Sequence, residues 1–396
     1  MAYRQCRLGK AARPQQIGFE TRLGSNLLDL HREIHTGRYR PAPSTCFVVT
    51  HPKPREIFAA HFRDRIVHHL VVSRLEPLWE RRFVFSSFAC RVGKGTHGAL
   101  HYLQAKVRSL SRGGRIPLWV LQLDIASFFV TIHRPTLRNL FLAGVSHPIL
   151  RKLIETLYSH DARIGVRRKG NPDLFRLIPQ EKTWFCHSPD QGLPIGNLTS
   201  QFGANVYLNA LDHWILRSLR PQAYLRYMDD LLLIDMDPGR LEPMIAPINA
   251  WLGTHRGQAL NPRKTRLRCL TDGIEYLGYR ARQTGLPAQP LQFFAFAKKK
   301  WQWIAELRKL ERRPFPAADS AHPLSLTHGS RELDRTLAAL NSRIGDLVHA
   351  RTYRLRKASL DRLIHATSAY PGLPDDLGGE QPRLRAKRGY RSITSR

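Results

Sequence analysis

The stretch YLRYMDDLLLID, residues 224–235, constrains this chain more than any other. Two apolar β-type runs, AYLRYM and LLLID, flank an adjacent pair of acids, Asp229 and Asp230. Runs this short and this close predict a hairpin with the acids at its tip. Carboxylates held beside Leu231, Leu232, Leu233 and Ile234 are unfavourable unless a cation neutralises them. A second β-rich run, WVLQLDIASFF (119–129), is broken by one acid, Asp124. Strand–helix–strand folding can set that strand beside the hairpin and gather the three carboxylates. Unaided, they would repel and raise one another's pKa. Two Mg²⁺ ions would remove the conflict, because carboxylate oxygens are the ligands Mg²⁺ prefers. Such a pair, roughly 4 Å apart, stabilises the attacking and leaving oxygens of phosphoryl transfer.

The charge balance points the same way. Sixty-three Lys and Arg against 31 Asp and Glu give a formal net charge of +32 over 396 residues. The excess runs through the whole chain rather than a tail, which favours a phosphate-rich partner over an acidic or neutral one. No apolar run approaches the roughly 20 residues that span a bilayer, and MAYRQCRLGKAAR lacks an apolar signal core. No membrane is expected. The five cysteines include no Cys-x-x-Cys pair, which fits a reducing cytoplasm and neither a disulfide framework nor a zinc knuckle. Adjacent His68 and His69 point in different directions on a helix, so they read as ordinary helix residues.

Along the chain, the spacing predicts helices over 16–40, 62–83, much of 91–110 and 198–216. CFVVT (46–50) reads as a strand, and GIEYLGYRAR as one further strand. Residues 161–190 lack periodicity and read as an inserted loop or hairpin. From about residue 290 the chain turns helical and basic, and its last 30 residues, rich in Pro, Gly and Arg, read as a mobile tail.

In order, PKPRE, FRDRIVHH, YLQAKV, LQLDIASFF, the turn QGLPIGNLTSQ, YMDD, NPRKT and EYLGY resemble a reverse transcriptase over residues 20–285. The resemblance implies an α+β right-hand polymerase fold of fingers, antiparallel-sheet palm and helical thumb. Its expected limits are 1–118 for the N-terminal region and fingers, 119–285 for the palm, 286–366 for the thumb and 367–396 for the tail. It implies RNA-directed DNA synthesis from deoxynucleoside triphosphates on an RNA template and RNA/DNA duplex, in the cytoplasm. Two Mg²⁺ ions would serve, with Mn²⁺ able to substitute. Asp124 and Asp229 resemble the metal-binding aspartates, with Asp230 the accessory acid and Ile125 counted in the metal site. Lys53, Arg55 and Arg63 resemble residues that clamp the triphosphate. Phe129, five residues after Asp124, resembles the ring that excludes a ribose 2′-hydroxyl. Lys264 resembles a lysine that protonates the leaving pyrophosphate, although a backbone-phosphate contact is an equal reading.

The turn discriminates further. Aligned on Ser200, it reads Ile195-Gly196-Asn197-Leu198-Thr199-Ser200-Gln201, with Ile195 where most reverse transcriptases carry Gln and Gln201 where they carry Pro. Gln191–Gly192, four residues upstream, is out of register. The form resembles the enzymes of diversity-generating retroelements, which copy a template-repeat RNA with errors at adenines and work with a small basic accessory protein. Ile195, Gly196 and Gln201 join the nucleotide-binding set on this basis. A retron-like or phage-defence reverse transcriptase is the alternative, and a catalytically silent RNA-binding scaffold the second. The scaffold supplies no reason for all three acids to be present.

Overall fold

Ten strands form in the described residues of a computed structural model: β1 (Thr45–Val49), β2 (Arg55–Ala59), β3 (Trp119–Asp124), β4 (Arg167–Arg168), β5 (Ala223–Tyr227), β6 (Asp230–Asp235), β7 (Arg266–Cys269), β8 (Ile274–Tyr276), β9 (Tyr279–Gln283) and β10 (Leu291–Ala295). The structure describes residues 1–8, 13–50 and 53–295. The described residues divide into two units, Met1–Leu110 with Leu118–Cys269, and Ser111–Pro117 with the described residues from Leu270 on. The expected tail, and all of the expected helical thumb (286–366) beyond residue 295, lie outside the described residues. The described start of that thumb is not helical but ends in the strand β10, because Leu291–Ala295 pairs with β9.

The first unit holds a four-stranded sheet in the order β5-β6-β3-β7. Its pairings are all antiparallel, and the β3–β6 register sets Asp124 directly opposite Asp230. Leu231 and Leu233 join one core with Phe202, Leu208 and Leu211 of the helix Leu198–Trp214. Leu232 and Ile234, pointing to the other face, are buried as well. A strand covered on both faces reads as an unbroken apolar run, which explains LLLI. A second sheet, β2-β1-β4, joins an antiparallel pair to a parallel two-residue strand. That short strand comes from the 161–190 segment, so the expected loop is partly ordered by pairing with β1. The chain is thus mixed helix and sheet, of the α+β kind.

Two expected elements divide in the structure. The helix expected over 16–40 forms as Pro14–Glu20 and Leu23–His35. The Thr21 hydroxyl donates to the Gly18 carbonyl at 2.9 Å, and Arg22 leaves helical geometry at φ −127°, ψ 46°. The single strand expected at GIEYLGYRAR is the hairpin β8–β9, with Tyr276 opposite Tyr279. With β10 it makes the antiparallel sheet of the second unit.

Candidate active site

Asp229 and Met228 form the two-residue connection between β5 and β6, where Tyr227 pairs with Asp230. Met228 sits in the left-handed region at φ 57°, a conformation that costs a non-glycine residue on the order of 1–3 kcal/mol. What holds it there is buried. Arg226 and Asp212 form an ion pair with both side chains fully buried. Arg226 Nε and Nη2 donate to the two Asp212 carboxylate oxygens, each at 2.7 Å, and the Tyr224 hydroxyl adds a third donor at 2.7 Å. The remaining nitrogen, Nη1, donates to the Asn205 side-chain oxygen and to the Met228 carbonyl, both at 3.1 Å. Every charge is matched, as a buried pair requires, and the spare donor fixes the hairpin tip.

Opposite the tip, Asp124 ends β3 and is 5% exposed. Its neighbours come from the NPRKT segment. Asn261 N donates to the Asp124 carbonyl at 2.8 Å, and Ala126 N to the Ala259 carbonyl at 2.9 Å. These bonds bracket Ile125 and leave its carbonyl outside the short ladder. Lys264 Nζ donates to Asp124 Oδ1 at 2.5 Å, and Asn261 Nδ2 to Oδ2 at 3.4 Å. An ammonium group is the cation that faces the acids here.

Burial, then the charge of Asp124, pushes Asp229 up to about 6 from an ordinary 3.8. Asp230 keeps contact with solvent, yet partial desolvation, then the charges of Asp229 and Asp124, also raise it. For Asp229 the sign is that of an acid whose folded pKa lies above its unfolded one. Both states are protonated below about pH 4, while above about 6 both are ionised and the folded state bears the repulsion. Stability contributed by this group therefore falls as pH rises from about 4 to about 6. Asp229→Asn is expected to raise the melting temperature by a few degrees at pH 7 and to change it little at pH 4. Melts at both values check this, and an equal shift at both would contradict it.

A cavity of about 200 Å³ opens beside the acids. Lys53, Arg55, Asp124, Ile125, Phe129, Ile195, Asp229 and Lys264 all line it. Phe129 is positioned by a left-handed Ser127 (φ 48°) and by its carbonyl, which accepts from Leu193 N at 2.8 Å. Ile195 is held by its own carbonyl, which accepts from Phe58 N at 3.0 Å. Gly196 follows at φ 106°, where an added Cβ would press on Ile57 at 3.0 Å.

Arg63 is not brought to the cavity. It lies in the helix Phe62–Glu80, pairs with Glu33 and stands over the Tyr39 ring at 5.6 Å. Gln201, in the first turn of Leu198–Trp214, and Gly196 and Asp230 are not among the lining residues either. Sequence reasoning missed Asn261, Ile178, Lys182 and Trp184 on the cavity wall, and the Arg226–Asp212 pair behind it. Gly192 is a further omission. At φ 92° it packs so closely under the Trp184 indole that any Cβ would overlap the ring.

Acids and cations share one cavity at a strand end, in a strongly basic chain, as nucleotidyl transfer requires. The family described as reverse transcriptase (RNA-dependent DNA polymerase) matches residues 51–281, more than half of the chain. The chain belongs to that family and is an RNA-directed DNA polymerase, which implies a nucleic-acid template and deoxynucleoside triphosphate substrates. Protein YkfC of Escherichia coli (strain K12) is similar at 24% identity over 295 residues, 66% of this chain and 72% of that protein. No helix among the described residues is long and apolar enough to cross a membrane.

Proposed function

We propose that this chain is the reverse transcriptase of a diversity-generating retroelement, copying a template-repeat RNA into DNA with errors at adenines. The observation that carries the reading is Ile195 lining the cavity that also holds Phe129, Asp124 and Asp229. A glutamine there could hydrogen-bond the incoming nucleotide and enforce base-pair geometry. Isoleucine offers only contact area, so a mispaired nucleotide forfeits less binding. The layout we assign is right-handed: fingers before residue 119, a palm on the four-stranded sheet, and a thumb after residue 285. A small basic accessory protein and the structured RNA would complete the complex in the cytoplasm.

Divalent cations are general in this family. Among the described residues no three of His, Cys, Asp and Glu are gathered closely enough to hold a metal ion. The donor set nevertheless fits hard cations: the Asp124 and Asp229 carboxylates, with Asp230 beside them and the Ile125 carbonyl outside its ladder. Bound Mg²⁺ would neutralise the acids and stabilise charge on the transferring phosphoryl group. Lys264 would then leave Asp124 and reach the phosphates instead. Lys53 and Arg55 bind the triphosphate in this reading, and Phe129 blocks a ribose 2′-hydroxyl.

The test is Ile195→Gln, compared with the natural enzyme on an RNA template containing adenine. Misincorporation opposite adenine should fall severalfold in the sequenced product while total synthesis is retained. An unchanged error spectrum would remove Ile195 from the explanation.

A further inference from the structure

The segment 161–190 is the part of the chain that the polymerase reading does not use, and it is tied down at several points. β4 pairs with β1, Thr45 opposite Arg167. Trp184 is 1% exposed, with its Nε1 donating to the Gln191 carbonyl at 2.6 Å and its ring 4.8 Å from that of Phe58. Arg163 pairs with Asp161 at 2.6 Å and donates to the carbonyls of Trp184 and His187 at 2.8 and 2.7 Å. The most telling tie is Glu56. It follows Arg55 on β2, is 6% exposed, and accepts from the Thr183 hydroxyl at 2.6 Å and from Trp184 N at 3.0 Å. A buried carboxylate is thus spent on placing residues 183 and 184.

The residue just before this anchor is Lys182. Its backbone N donates to the Pro179 carbonyl at 2.9 Å, closing a tight turn. Lys182 is exposed, yet it lines the same cavity as Lys53, Arg55, Asp124 and Lys264. Lys264 is already paired with Asp124, and the buried Glu56 is occupied by Thr183 and Trp184. Lys182, Lys53 and Arg55 have no ion-pair partner among the described residues. Three cations converge on one cavity beside acids that would repel an anionic substrate. A polyanion must be met by cations at its far end to enter such a site.

We infer that the 161–190 segment is a built wall of the nucleotide site and that Lys182 binds the triphosphate of the incoming deoxynucleotide. The inference rests on the polymerase reading and extends it. Ile178, 7% exposed and also on the cavity wall, gives the same segment an apolar contact. Glu56 is then a positioning residue that holds Lys182 on the wall of the cavity that Arg55 also lines.

Steady-state primer extension by the full chain with Lys182→Ala, Lys182→Arg and Lys182→Glu tests this. Alanine should raise the KM for deoxynucleotide roughly fivefold, the upper end for a solvent-exposed charge pair, and kcat should change less. Inhibition by added pyrophosphate should weaken in parallel, arginine should restore both, and glutamate should exceed alanine. That charge order cannot come from a merely structural role. Equal KM in all three variants, or a loss confined to template-primer affinity, would overturn the assignment while leaving the polymerase intact. No synthesis by the natural chain itself would overturn the polymerase reading and this inference with it.

Discussion

Asp229→Ala is expected to lower RNA-templated DNA synthesis by at least about 10³-fold, the scale seen when a group acting on transition-state charge is removed. Asp229 is the acid at the turn between β5 and β6, on the cavity wall and facing Asp124. Alanine deletes a negative charge that the fold holds at a raised pKa, so it relieves repulsion and should not unfold the chain. RNA affinity should stay within severalfold, because phosphate contacts from a +32 chain supply it. Primer extension and filter binding on one preparation separate the two effects. Retained synthesis would show that the hairpin is not the catalytic element, and lost RNA binding would show that the effect is structural.

The second large effect concerns stability. Arg226→Met should destabilise the first unit by about 3–5 kcal/mol, the usual result of leaving a buried charge uncompensated. Asp212 would keep only the Tyr224 hydroxyl of its three side-chain donors. Asp212→Leu should cost a similar amount by stranding the guanidinium. The double variant should be much less destabilised than the sum of the two, since neither charge then remains. Activity is expected to behave differently. Without Arg226 the Met228 carbonyl loses its donor and the strained tip its support. Synthesis by the double variant should therefore stay about 10²-fold low, as small misplacements of reacting groups allow. Urea melts and extension rates across the cycle check both halves. Additive stability losses, or full activity in the double variant, would count against this role.

The contrast between these residues shows what was legible in the sequence. Asp124 opposite the 229–230 hairpin can be anticipated because each acid interrupts an apolar β run, and an interruption in a buried strand needs a reason. Arg226 satisfies the same criterion, as a cation between Leu225 and Tyr227 in a strand otherwise apolar or aromatic. Its partner is hidden, because Asp212 lies on a helix and looks like any polar helical position. Gly192 was legible as a glycine but not as the floor for Trp184, since that contact depends on how 161–190 packs. Arg63 sits in a motif-like segment, yet Glu33 captures it from a helix that local spacing cannot relate to it. At Leu277-Gly278 the chain turns with φ 48° and 84°; Gly278 was the one local signal for that hairpin, and Leu277, a branched residue at positive φ, masked it. Long-range pairing, not local propensity, decided Asp212, Gly192 and Arg63.

The most direct measurement is extension of a primer on an adenine-containing RNA template with deoxynucleoside triphosphates and Mg²⁺, followed by sequencing of the DNA. The assignment to a diversity-generating retroelement predicts full-length DNA with substitutions concentrated opposite template adenines. Faithful DNA at those positions, made with the cognate RNA and accessory protein present, would contradict it.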